Sequence, residues 1–414
     1  MNESVAPPLA RSSAEVPVLP QPDPGWVCRW SGDPAGAVVL DLGDQPPADL
    51  FPLPGDPLPD PEHPLRMVMS TTSGLVQLET DPTTPQEPRG VEPAALVAQA
   101  EAAVAQAEAA GFVRPGTRVL EYPSPHGGSW VDQLAARSMV EVSDGDAELI
   151  VDIFGMMHAA DQRAALIERA EHLTDDGVLL MQYHTVAAIV RSGIWNALRH
   201  GHFAYYSTPA LVEMGREIGL VAVGAWEYPL YGGTVMLAFA KEGSRYGEQT
   251  PDVTAMVERE LAEGIADPAH VASLGAALDE SVAAIEEYLA GTTAAGLTVA
   301  GYGAASRTSA LLRSAHIEKE HVVAIADAST GKHGRTMPGN RIPIVSPTDL
   351  VGLRPDRVLL FVPDLLDEVR AALPLVEAQG GRWVVLDPMP REVEPISSAE
   401  PAALTEPAGT AEQV

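Results

Sequence analysis

The chain has 414 residues, enough for two or three domains, and its net charge of -31 argues against nucleic acid and anionic membrane surfaces as partners. Its single cysteine, Cys28, excludes an internal disulfide and any multi-cysteine zinc site. No run of about 18 apolar residues occurs and the N-terminus lacks a basic-then-apolar signal, so no membrane span and a cytoplasmic location are expected.

Residues 1–24 carry Pro, Ser and acids without periodicity and read as a disordered lead. Over 25–90, short apolar runs between Pro/Asp-rich turns predict a small β-rich module. The stretch 93–110, rich in Ala, Glu, Gln and Leu, predicts a helix that Gly111 closes. Residues 91–245 then alternate signals. Strands are expected at 118–121, 147–155 and 177–184, helices at 161–173 and 208–220 with Thr208 as cap, and a closing hairpin over 220–241. The order fits an α/β, doubly wound sheet ending in antiparallel strands. Residues 246–296 read as an acidic helical connector. A second α/β unit fills 297–390: strand–turn–helix at 297–312, a strand over 321–329 ending in Asp327, strand then helix at 356–373, and a last strand at 381–388. The Pro/Ala/Glu-rich tail, 391–414, reads as disordered.

The stretch 118–130, RVLEYPSPHGGSW, is the first strand–turn–helix junction of the larger sheet. Such a junction is where a nucleotide-like ligand sits, because glycines admit its backbone approach and helix N–H groups face it. Here Pro123 and Pro125 fix φ and remove donors where such a loop wants glycine.

The run from Gly301-Tyr302-Gly303 through Asp327, GKHGRTMPGNRIPI at 331–344 and Pro347 resembles the C-terminal domain of the nucleotide-deoxysugar C-methyltransferases. The likeness extends over 26–390. It implies a small zinc module, a central class I methyltransferase-like (Rossmann-like) domain for S-adenosylmethionine (SAM), and a C-terminal Rossmann-like domain that helps hold a nucleotide-sugar. The zinc positions are Cys28, Ser31, Ser70 and Ser73, and hydroxyls do not replace thiolates on structural zinc, so a metal-free β module is expected. In the SAM loop Glu121, Gly127 and Gly128 are the cofactor candidates, with Pro123 at the family's first glycine. Only 31 positions separate Glu121 from Asp152. One helix (129–136) and one short strand (138–142) fit there, so a truncated domain is expected, with Glu141 or Asp144 standing in for the ribose acid.

RHGHFAYYST at 199–208 is similar to the family's Tyr-x-Glu-His-x-x-x-x-Ser run, tied to deprotonating a ketosugar carbon. His202 and Ser207 are kept, while Arg199 and Gly201 replace the Tyr and the Glu. His158 matches a family histidine, Phe154 stands where Asn is common, and Tyr231 replaces a His before the double glycine. The expected catalytic residues are therefore His202, Arg199 and His158: a histidine relays a proton while Arg199 steadies an anionic oxygen. Tyr205, Tyr206, Trp195 and Tyr231 are expected to wall an apolar cavity, and His184 and His126 to face the cleft. Ser306, Arg307 and Asp327 are expected at an anion cradle in the C-terminal unit.

Three functions stay open: a SAM-dependent C-methyltransferase acting on a nucleotide-activated ketosugar or related carbon acceptor, the same scaffold recruited for SAM-free rearrangement or cyclisation of a specialised-metabolite intermediate, and a non-catalytic partner. The prolines and the missing βα unit favour the second, with a small-molecule substrate and no cofactor; a homodimer is left open.

Overall fold

The structure, a computed structural model, describes residues 19–83, 92–123 and 128–395. The lead up to residue 18, the tail beyond 395, and the loop residues His126 and Gly127 lie outside the described residues. The described chain divides into two compact units, one from 19–48, 61–83 and 92–280, the other from 49–60 and 281–395. Among the described residues no helix is long and apolar enough to cross a membrane.

In the first unit a four-stranded antiparallel sheet runs Gly36–Gln45, His63–Ser70, Val76–Leu78, Ala204–Tyr205. The first three strands are the expected β module. The fourth was not expected as a strand: Val76 pairs with Tyr205 and Gln77 with Ala204, stitching the 199–208 segment onto the module. Residues 19–24, assigned to the disordered lead, are tied to this sheet: the Val38 amide donates to Pro20 O (2.8 Å) and the Asp23 amide to Glu79 Oε1 (2.6 Å).

The second sheet runs Val140–Glu141, Arg118–Tyr122, Ala147–Ile153, Leu173–His184, Thr234–Lys241, Leu220–Tyr228. Its first four strands are parallel and the last two antiparallel. Leu149, Ile150 and Val151 are fully buried, as expected of a parallel strand covered on both faces. Helix Val131–Ala136 and strand Val140–Glu141 use up the interval after Glu121, and the sheet ends there. This is the truncated class I methyltransferase-like order that the spacing predicts. Helix Ala94–Ala109 and the hairpin Leu220–Tyr228/Thr234–Lys241 also form as expected. The cap of helix Thr208–Glu217 is a correction. Ser207, not Thr208, accepts from the Ala210 amide, because Thr208 is buried and hydrogen-bonded to Glu260.

The second unit carries one sheet in the order Ile344–Val345, Ile325–Ala326, Val299–Tyr302, Arg357–Leu360, Arg382–Asp387, Met389–Glu392, all parallel except the last strand. Trp383, Leu350, Val358 and Leu360 centre its core. It is the second Rossmann-like layer, with two differences. The strand expected over 321–329 shrinks to Ile325–Ala326, because a turn closed by the Val322 amide on Glu318 O takes its start. The final strand, Met389–Glu392, extends past the expected end of the domain.

Candidate active site

Strand Ala147–Ile153 ends at a tightly held turn. Asp152 is fully buried; one carboxylate oxygen accepts from the Met156 amide (2.9 Å), the other from Arg169 (2.6 Å). Arg169 also lies over the Tyr122 ring, 4.0 Å from its centroid. Gln162 Nε2 donates to Met156 O (3.0 Å) and Ala159 O (2.6 Å), and the Tyr206 hydroxyl donates to Gln162 Oε1. These bonds fix the 3-10 turn Met156–His158 and so place His158. The same turn holds Phe154 at φ 56°, a left-handed conformation that a bulky side chain adopts only when its surroundings enforce it. Phe154 packs edge-on against Tyr231, itself at φ 59°, with ring centroids 6.0 Å apart.

The segment 199–206 meets this turn. His158 Nδ1 lies 2.7 Å from Gly201 O, and the His158 and His202 rings pack edge-to-face at 4.5 Å. A carbonyl only accepts, so His158 Nδ1 carries a proton, and in the neutral ring Nε2 is the basic nitrogen. His202 is arranged the other way. Arg199 Nε donates to His202 Nε2 at 2.9 Å, and a guanidinium only donates, so that lone pair is committed. Arg199 is 6% exposed, and its amide donates to the Tyr205 hydroxyl, which donates in turn to Ala197 O. Burial pushes the Tyr205 and Tyr206 hydroxyls above the usual tyrosine range, so both stay protonated. Trp195, Tyr205 and Tyr206 are at most 1% exposed. The Tyr205 hydroxyl holds the backbone at Ala197 and Arg199, and the Tyr206 hydroxyl reaches the Met156 and Ala159 carbonyls through Gln162.

The structure thus brings His158, His202 and Arg199 together, with Tyr205 beneath them. It adds Asp152, Gln162 and Asp81, which the sequence reading passed over. Asp152 appeared only as one end of the 31-position spacing, and Asp81 only within the β-rich module. Each stands beside a chain reversal, the sole signal that pointed to them.

At the junction after strand Arg118–Tyr122, Glu121 accepts from the Trp130 amide at 2.6 Å. Burial raises its carboxyl above the usual range, with hydrogen bonds from Trp130 and Ser129 opposing, and Glu141 is close enough to add to the rise. Gly128 sits at φ 97°, and a Cβ there would lie 3.2 Å from Leu96 Cδ2, so glycine is required by both conformation and space. Gly127 is outside the described residues. The strand-end acids fit SAM: Glu121 ties the turn, and Glu141, exposed at the end of the neighbouring strand, is an acid that would suit ribose hydroxyls. His184 ends its strand opposite Thr234.

The four zinc positions also converge. Cys28 Sγ lies 3.3 Å from Ser73 Oγ, the Ser73 amide donates to Ser70 Oγ (3.2 Å), and Thr72 links Ser70 (3.0 Å) to Ser31 (3.4 Å). Burial raises the Cys28 thiol, but hydrogen bonds from Ser31, Ser73 and Trp30 outweigh it and leave the thiol below its ordinary value. One thiol and three hydroxyls do not fit a structural zinc, and no group of three or more His, Cys, Asp or Glu side chains suited to a metal occurs among the described residues.

In the second unit Gly303, at φ 99°, would place a Cβ 3.0 Å from Val362. Ser306 begins helix Ser306–Ser314, Arg307 pairs with Asp364 (3.3 Å), and Asp327 accepts from the Ser329 amide (2.8 Å) and faces Lys332 Nζ at 3.6 Å. The buried Lys332 donates to Ala304 O (2.8 Å) and so locks the glycine turn. A groove of about 810 Å³ lies beside Ile344 and Val345, but its Arg335 and Arg341 are spent on Phe51 O, Leu58 O and Asp60.

Residues 229–390 match the family model of the C-methyltransferase C-terminal domain, and residues 28–86 that of a zinc binding domain. The chain is similar to C-methyltransferase NovU of Streptomyces niveus, 29% identical over 253 residues, which make up 60% of this chain and 59% of that relative. It therefore spans less than two thirds of the relative's length. Among solved structures, magnesium protoporphyrin IX methyltransferase of Synechocystis with bound SAH is 9% identical, covering 36% of this chain and 84% of that one at a TM-score of 0.27. The 1,6-didemethyltoxoflavin-N1-methyltransferase of Burkholderia thailandensis is 11% identical, covering 40% and 95%, at 0.26. At such scores these likenesses add nothing to the fold read from strand order. The family matches do correct one expectation. A C-methyltransferase needs a methyl donor, so the expectation of no cofactor is overturned, and SAM-free rearrangement or cyclisation is set aside with it.

Proposed function

We propose that this chain, which belongs to the C-methyltransferase family, transfers a methyl group from SAM to an acidic carbon of a small-molecule acceptor, a nucleotide-activated ketosugar or related ketone, in specialised-metabolite biosynthesis. The observation that carries this reading is the meeting of His158 with the Arg199–His202 pair across Gly201. Methylation at carbon requires removal of a proton beside a carbonyl, then attack of the resulting enolate on a methyl electrophile. Bound SAM would supply that electrophilic methyl group.

His158 is the better base. Its Nδ1–H is anchored on Gly201 O, so in the neutral ring Nε2 is the basic nitrogen that would take the proton. Arg199, braced by His202, keeps a fixed positive charge for the oxygen on which negative charge develops. Glu121 holds the turn against the Trp130 amide, and Glu141 is the ribose acid.

The test is methyl transfer to acceptor by the intact chain. His158→Gln should lower turnover by about 10²-fold or more. His202→Gln should cost less, because it loosens Arg199 without removing the base. Full activity in His158→Gln would contradict the assignment.

A further inference from the structure

We propose that Asp81 is a positioning residue for this site: by holding the Gly201 peptide, it sets which nitrogen of His158 carries the proton. The inference rests on the proposed role of His158 as base. Asp81 Oδ2 accepts from the Gly201 amide at 2.5 Å, across 120 positions of chain. The carbonyl of the same glycine accepts from His158 Nδ1 at 2.7 Å. One residue therefore receives an acid on its N–H and hands a proton acceptor to the histidine.

The backbone geometry shows why glycine stands there. Gly201 lies at φ 87°, and a Cβ added to it would meet nothing within 4 Å. Space does not demand glycine, but conformation does: this φ aims the amide at Asp81 while the carbonyl faces His158. Asp81 is itself oriented. Its Oδ1 accepts from the Thr83 amide (2.9 Å) and the Thr83 hydroxyl (2.7 Å).

Arg29 braces the assembly from the other side. Its guanidinium faces the Asp81 carboxylate, donates to Ala160 O at 3.0 Å, and lies 4.8 Å from the centroid of the Phe203 ring. Ala160 is two residues after His158 and Phe203 directly follows His202, so one cation steadies both histidine-bearing segments and the acid between them. A link segment of the β module thus reaches the proposed base without touching it.

The experiment uses the full chain labelled with ¹⁵N-histidine. Long-range proton–nitrogen spectra report the tautomer of each ring, and the His158 signals are those lost in His158→Gln. The native chain should show His158 as the Nδ1–H tautomer. Asp81→Ala should shift the tautomer ratio by about fivefold toward Nε2–H. Asp81→Asn, whose side-chain carbonyl still accepts from Gly201, should restore the native ratio. Thr83→Ala, a milder change that frees Oδ1, should give an intermediate ratio. An unchanged ratio in folded Asp81→Ala, or in Thr83→Ala should the former fail to fold, overturns the proposal. Calorimetric titration with S-adenosylhomocysteine runs beside it and should give the same affinity in all variants. Absence of binding throughout would count against the methyl-transfer reading alone, since the tautomer result does not depend on it.

Discussion

His158, His200 and His202 are held in three different ways. His158 donates to a backbone carbonyl, His202 accepts from a guanidinium, and His200 is 3% exposed with Nε2 beside Pro64 O at 3.2 Å. Burial holds His200 below its ordinary value of 6.5; the Pro64 and Pro46 carbonyls and Asp81 oppose that shift, and His63 adds to it. For a histidine with a depressed folded-state pKa, the native state prefers the neutral ring. Its contribution to stability is therefore present above about 6.5 and is lost as pH falls through the folded value. The melting temperature should drop as pH is lowered from 7 toward 5, and His200→Gln, which keeps a donor for Pro64 O, should flatten that slope. A variant with the native slope would show that His200 is not the responsible group.

At the scale of elements, the β module keeps the shape of a zinc site and replaces the metal with hydrogen bonds among Cys28, Ser31, Ser70, Thr72 and Ser73. A chelator should leave the melting temperature unchanged. Ser31→Cys, Ser70→Cys and Ser73→Cys made together should take up one zinc per chain and raise it, because four thiolates would then converge. Zinc in the native chain, with destabilisation on its removal, would contradict this view. The elements also show what sequence could and could not reveal. Helix Ala94–Ala109 was legible from its Ala-, Glu-, Gln- and Leu-rich composition and strand Ala147–Ile153 from its apolar run, and the 31-position spacing exposed the truncated sheet. Strand Ala204–Tyr205 was not, because two residues carry no period and its partner, Val76–Leu78, lies far away in the chain. The histidines were legible as residue types, but which nitrogen meets Gly201 or Arg199 is visible only in three-dimensional contacts.

For the molecule as a whole, the first unit joins the β module to the methyltransferase-like sheet through the 199–206 segment, so the module orders the proposed base rather than serving only as a metal-bound appendage. The second unit carries its own glycine turn, locked by Lys332 and Asp327. Everything in the functional reading depends on whether a donor binds at a junction that has lost one βα unit and gained two prolines. Isothermal titration of the purified, folded chain with S-adenosylhomocysteine decides this most directly. Binding at micromolar concentration, weakened about tenfold by Glu141→Gln, is the expected result. No detectable heat with a chain shown to be folded would contradict methyl transfer from SAM.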